Sequence, residues 1–340
     1  MDTRPSPGSP RSSSMTVALV LGMLALPAAL TLHRVHVPAV VDVTAPNPSP
    51  YGYTVSLLLF IIPILAIVLW LVPRDNVRIS KKSFLRTIAI LVPLGFFLDF
   101  FFARLFLKFP NPHATLGIPA PALGEAGGSH IFLGSPGHVI IGSVPLEEYV
   151  FYLAGFIVVL LLYIWLDEYW LAAYNIPDCA AERTDFHRLL QFHPQSLFLA
   201  IALIAGGLVY RHFFAHLPPG LPGYFLFLVL GALGPSAALL PSARPVINWR
   251  AFSMTVFVLL LTSLLWEATL AVPYGWWDYQ HGAMLGVFIT AWNFLPIEAV
   301  VVWIAVTYMT VIVYEIVKRW QSSGKKARVA FFGAKKGAAL

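Results

Sequence analysis

The sequence predicts an all-α integral membrane protein: about eight transmembrane helices, arranged as two parallel three-helix repeats joined by a linking helix. The first observation behind this is compositional. Of 340 residues, 58% are hydrophobic and only 11% charged, whereas a soluble domain is nearer a quarter charged. The second is that apolar runs close to the ~20 residues a bilayer requires recur along the chain. The third is a repeated motif. Pro145-Leu146-Glu147-Glu148-Tyr149-Val150-Phe151-Tyr152 heads one long apolar run, and Pro296-Ile297-Glu298-Ala299-Val300-Val301-Val302-Trp303 heads another.

Taken in order, residues 1–14 are rich in Pro and Ser and read as disordered. Residues 15–32 read as a signal anchor or a cleaved signal peptide, since small residues near Ala28 and Ala29 permit cleavage; retention is favoured because the run is longer than a cleaved signal's apolar core. Further spans are predicted at 53–72, 84–107, 144–166, 196–214, 223–240, 251–270 and 296–317. Residues 283–294, ahead of Pro296, read as a re-entrant or interfacial stretch. Proline is at home in a first helical turn, where its missing N–H is not needed, so Pro145 and Pro296 both mark helix starts. The corresponding division runs 1–50 (N-terminus, first span, outer loop), 51–170 (first repeat), 171–220 (cytoplasmic loop and linking helix), 221–318 (second repeat) and 319–340 (basic tail).

Charge gives the orientation. With the N-terminus inside, the outer segments hold only Arg34, Arg104, Lys108 and Arg211, and the other 18 of the 22 basic residues fall inside. That asymmetry follows the positive-inside rule. It predicts a multi-pass protein of the plasma (inner) membrane with both termini cytoplasmic, and a tail lying near anionic lipid. The net charge of +6 is therefore read as membrane orientation, with no nucleic-acid partner. No Walker loop or complete Gly-x-Gly-x-x-Gly is present. The single cysteine, Cys179, permits no intrachain disulfide. Three spans are an odd number and would invert a tandem copy; the linking helix restores parity, so the repeats run parallel.

Ionisable groups at or inside hydrocarbon are functional candidates by default. Glu147, Glu148 and Glu298 read as buried acid and base, since burial keeps a carboxyl protonated and able to donate. The competing reading is that glutamate suits a helix's first turn through the dipole. Trp276, Trp277, Asp278 and Tyr279 precede the second motif. The rings of Trp276, Trp277 and Tyr279, with Tyr152, are candidates for the wall of a pocket in which a carbocation develops, stabilised by ~2 kcal/mol or more per aromatic face; Asp278 would orient an acid or take a proton, and interfacial anchoring of the rings is the alternative. Asp99, Arg104 and Glu267 lie inside spans and read as positioning residues, with Arg104 expected to reach Glu147 or Glu148. The histidine pairs His33/His36 and His212/His216 fall at membrane edges, and no metal site is expected.

At these residues the sequence resembles the lycopene cyclase domain family, membrane-embedded carotenoid cyclases that also occur as one fused two-repeat chain. The resemblance covers about residues 51–318. It is carried by Pro145-Leu146-Glu147-Glu148-Tyr149-Val150-Phe151-Tyr152, Gly275-Trp276-Trp277-Asp278-Tyr279 and Leu295-Pro296-Ile297-Glu298. It implies a redox-neutral cyclisation of a linear, lycopene-like carotenoid end to a β-ring without a cofactor. Glu147, Glu148 and Glu298 match the family's acidic positions and Asp278 its Trp-Asp element; other carotenoid-pathway enzymes are implied as partners alongside the bilayer. The chain departs from the pattern at Glu298-Ala299, where Glu-Glu is usual, and in the first repeat, which has a Gly/Pro-rich loop in place of Trp-Asp. Two other function classes stay open on the residues alone: a non-catalytic isoprenoid-binding membrane protein and a small-solute transporter.

Overall fold

The computed structural model describes residues 37–42, 49–71, 73, 80–123, 141–191 and 193–333. Seven helices among them are long and apolar enough to cross a membrane, so the chain is an all-α membrane protein. The span expected at 15–32 lies outside the described residues, as do His33, His36, Arg74, Arg78, Lys335, Lys336 and residues 124–140 of the Gly/Pro-rich loop.

The first repeat comprises α1 (Gly52–Leu71), α2 (Lys81–Phe106) and α3 (Leu146–Trp165), the last prolonged by a π-turn, Leu166–Trp170. After the short α4 (Ala181–Thr184), α5 (Pro194–Phe213) is the linking helix. The second repeat begins with α6 (Gly223–Leu228), which passes through a π-turn into α7 (Gly234–Ala243). It continues with α8 (Trp249–Trp266), prolonged by the π-turn Glu267–Ala271, and α9 (Glu298–Ser322). A last short helix, α10, covers Ala327–Phe332. Among the described residues, six short strands lie between the helices: β1 (Leu107–Lys108), β2 (Pro119–Leu123), β3 (Ile141–Pro145), β4 (Asp278–Tyr279), β5 (Phe288–Ile289) and β6 (Leu295–Pro296). The sequence reading contained none of them. They are ribbons of two strands, too short to leave a periodic apolar signature.

The repeat is real in the backbone. Each middle helix starts on a side-chain cap: Ser80 Oγ accepts from the Ser83 amide and Asn248 Oδ1 from the Ala251 amide. Such caps satisfy an amide that the helix itself leaves unpaired. One turn on, Thr87 and Thr255 each donate their hydroxyl to the carbonyl four residues back. Each middle helix then runs into a short strand, a 3-10 turn (Pro112–Ala114, His281–Ala283) and an antiparallel hairpin, before the third helix begins. The equivalent strands pair with each other: Leu107 lies opposite Tyr279 and Lys108 opposite Asp278. The pairing is reciprocal, with the Asn111 amide donating to the Gly275 carbonyl and the Gln280 amide to that of Phe106. A local two-fold axis gives this arrangement, and it brings the same end of both repeats together, so the repeats are parallel. The basic residues opening the middle helices need one adjustment. Aligned on the caps, Arg250 corresponds to Lys82 and not to Arg86.

Helix α9 is the hub and packs on α2, α3, α7 and α8. At its far end a buried ionic network fastens the chain leading to the linking helix. Arg183 Nη1 meets Glu315 Oε2 at 2.7 Å, Tyr163 donates to Glu315 Oε1, and Lys318 lies 2.6 Å from Glu168.

Candidate functional site

The ribbon end positions five buried carboxylates: Asp99, Glu147, Glu148, Glu267 and Glu298, none more than 3% exposed. Their environments divide them. Glu147 Oε1 accepts hydrogen bonds from Thr54 Oγ1 (2.6 Å) and the Leu116 amide (2.7 Å). Glu298 Oε1 accepts from the Leu285 amide at 2.5 Å. Leu116 and Leu285 each stand two residues past the 3-10 turn of their repeat. The two glutamates therefore do the same structural task, tying the loop between the second and third helices back onto the first turn of the third helix.

Glu148 and Glu267 face inward, onto one cavity of about 40 Å³. Tyr53, Phe151, Tyr152, Tyr224, Trp277, Tyr279 and Trp303 supply its aromatic wall. Tyr53 donates to Glu148 Oε2 at 3.0 Å. Glu267 accepts on both oxygens, from Tyr279 Oη at 2.6 Å and Trp303 Nε1 at 3.0 Å. Burial, and then the Glu267 carboxylate, push the Tyr279 phenol well above its ordinary range, so it stays a donor. The cavity has room for a water between the two carboxylates.

Glu267 opens the π-turn of α8. A π-turn is an inserted residue, and such insertions recur at functional sites. The insertion can be read from the repeat. Ser80 and Asn248, Thr87 and Thr255, Asp99 and Glu267 all keep one spacing; past the turn, Phe106/Gly275 and Asn111/Gln280 are one residue further apart. Asp99 is therefore the counterpart of Glu267. It lines a neighbouring chamber of about 50 Å³ that shares Leu107, Tyr152, Tyr224, Val302 and Val306 with the first. Its Oδ2 finds no hydrogen-bond partner among the described residues. Tyr152 corresponds to Trp303, and Glu148 to Ala299. The second repeat's missing glutamate leaves a centre asymmetric about its own axis.

Several sequence expectations change. Glu147 and Glu298 do not line the cavity; the loop amides of Leu116 and Leu285 hold them as loop ties, and the carboxylate facing Glu148 is Glu267. Arg104 does not reach Glu147 or Glu148. It crosses Gly142 of β3 so closely that a Cβ there would fall 0.9 Å from Arg104 Nη1. Asp278 belongs to the ribbon, where its Oδ1 accepts the Tyr279 amide at 2.8 Å. Trp276 packs behind the cavity, stacked on Tyr53 with its Nε1 donating to Ser49 Oγ. Trp277, Tyr279, Tyr152 and Glu267 do reach the cavity. Sequence reasoning missed Tyr53 and Tyr224. Their signal is the Gly-Tyr pair, Gly52-Tyr53 and Gly223-Tyr224, at the head of each repeat's first helix.

Comparison with protein families, characterised proteins and solved structures finds no match for this chain.

Proposed function

We propose that this protein is a membrane-embedded acid–base isomerase that closes the end of a linear, lycopene-like carotenoid into a β-ring. The observation that carries the reading is the pair Glu148 and Glu267, facing one aromatic-walled cavity enclosed within a bundle of membrane-spanning helices. The motif resemblance over residues 51–318 supplies the reaction class.

Glu148 is the acid. One oxygen is held by the Tyr53 hydroxyl, which leaves the other free to carry a proton toward substrate. The proton adds to C2 of the terminal C1=C2 bond and leaves a tertiary cation at C1. The C5=C6 electron pair closes the C1–C6 bond, and positive charge moves to C5. The faces of Trp277, Phe151 and Trp303 stabilise that desolvated charge. Glu267, oriented by two donors, takes the proton from C6, and the C6–H pair becomes the new C5=C6 bond. One proton enters and one leaves, so the product is an isomer and no redox partner is consumed. Proton return from Glu267 to Glu148 across the shared cavity resets the site. Such groups contribute about 10²–10⁴-fold each.

In this reading the protein sits in the plasma (inner) membrane with its ribbon end outward and its basic end and both termini cytoplasmic, as the basic residues argue. Its partners are the bilayer, the linear carotenoid and the enzymes that make and use it. The test is coexpression with a lycopene-producing pathway. Ring-bearing pigment with the wild type, and none with Glu148→Gln or Glu267→Gln, supports the reading. Unchanged lycopene with folded wild-type protein refutes it.

A further inference from the structure

A second cavity, of about 110 Å³, lies between α1, α3 and α8. On α3 it is lined by Phe151, Ala154, Gly155, Val158 and Leu162, one helical face running ~16 Å at 1.5 Å per residue. Leu57 and Phe60 of α1 form one side, and Leu259, Ser263 and Trp266 of α8 the other. The slot and the carboxylate cavity share Phe151, Gly155 and Trp303. They meet at Gly155.

Glycine in a helix interior is unfavourable relative to alanine and needs a reason. The usual one, close approach of a neighbouring helix, does not apply here: a Cβ on Gly155 would meet nothing within 4 Å. Gly95 and Gly207 on other spans differ, since a Cβ on either would come within 2.8 Å of an aromatic ring. The repeat adds an independent observation. The position equivalent to Gly155 in α9 is Val306, which fills the boundary between the carboxylate cavity and the Asp99 chamber. The same junction is thus blocked by a side chain on one side of the pseudo-axis and left open on the other.

We infer that Gly155 is a throat, through which the apolar chain of a linear polyisoprenoid runs from its reacting end at Glu148 and Glu267 into the slot along α3. This rests on the proposed cyclisation for the reacting end, and it adds the ligand's shape: one end inserted, with a tail at least as long as the slot. The occupant is a hydrocarbon without a polar head. The slot is apolar apart from Thr262 and Ser263 and offers a headgroup no charged side chain.

The Glu148→Gln protein, which retains its ligand if it cannot turn it over, is purified from lycopene-producing cells and its pigment per mole measured. It is compared with Glu148→Gln/Gly155→Val, which copies the residue at the equivalent position, and Glu148→Gln/Leu162→Trp, which fills the far end of the slot. Both double variants are expected to melt close to the parent and to lose pigment at least tenfold. Parent-level pigment in either folded double variant overturns the throat. So does a parent that holds no pigment, or one whose slot carries a phospholipid by mass spectrometry. Ring formation by Glu148→Gln would refute the acid assignment, while the pigment ratio still reports on the throat.

Discussion

Adjacent residues Glu147 and Glu148 are expected to fail in opposite ways when substituted. Glu147→Ala removes the acceptor for Thr54 Oγ1 and the Leu116 amide. Each donor left unpaired in a buried setting costs about 1–3 kcal/mol, so the variant should lose roughly 2–6 kcal/mol of stability. Glu148→Gln keeps an oxygen for the Tyr53 hydroxyl and loses only the transferable proton. Its stability should change little, while cyclisation falls about 10²–10⁴-fold, equivalent to roughly 3–5 kcal/mol of barrier. Thermal unfolding in detergent reads the first effect, and single-turnover conversion of lycopene reads the second. If Glu147→Ala melts like wild type yet makes no rings, and Glu148→Gln still makes them, the division of labour drawn here is wrong. Glu147 and Glu298 would then regain the roles their motif suggests.

Asp99→Asn should leave the melting temperature unchanged or raise it, because the change removes an unpartnered buried carboxyl; a large loss of stability would mean that Asp99 is paired. Arg183→Met strands Glu315 in the buried network and should cost about 3–5 kcal/mol, with much of the loss recovered in Arg183→Met/Glu315→Leu; simple additivity in a double-mutant cycle would contradict a shared pair. Gly142→Ala meets only the far end of the flexible Arg104 side chain, so it should cost little in a melting curve; a large loss that Arg104→Ala relieves would mean that the guanidinium is held in place. The raised Tyr279 phenol gives a pH dependence. Below its ordinary value of ~10 both folded and unfolded chains keep the proton. Above it only the unfolded chain ionises, so stability falls as pH rises, and Tyr279→Phe should flatten that fall in pH-resolved melting curves.

Much of the architecture was legible in the sequence, because hydrophobic runs report membrane spans directly. The described helices match the predicted ones to within a few residues, apart from the C-terminal ends of the third helices. There the π-turn Leu166–Trp170 and the last turns of α9 carry charged residues that end a hydropathy run before the helix itself ends. The repeat was legible from Pro145/Pro296 and Glu147/Glu298. Its register was not, because Lys82 and Arg86 are equally plausible mates for Arg250 until the caps Ser80 and Asn248 are seen.

What the sequence determined by itself is therefore the class, the number of described crossings, the parallel sense of the repeats and the short list of carboxylates. Those follow from composition, length and parity, which are properties of the chain before it packs. Only the tertiary structure decided which carboxylates face each other. Glu147 and Glu148 are consecutive on one helix, roughly 100° apart around its axis. That rotation sends one to a backbone amide of its own loop and the other into an aromatic cavity. Glu267 sits more than a hundred residues from Glu148 and carries no motif. It meets Glu148 because a π-turn redirects the end of α8 and because reciprocal pairing of β1 with β4 brings the two repeats together at that end.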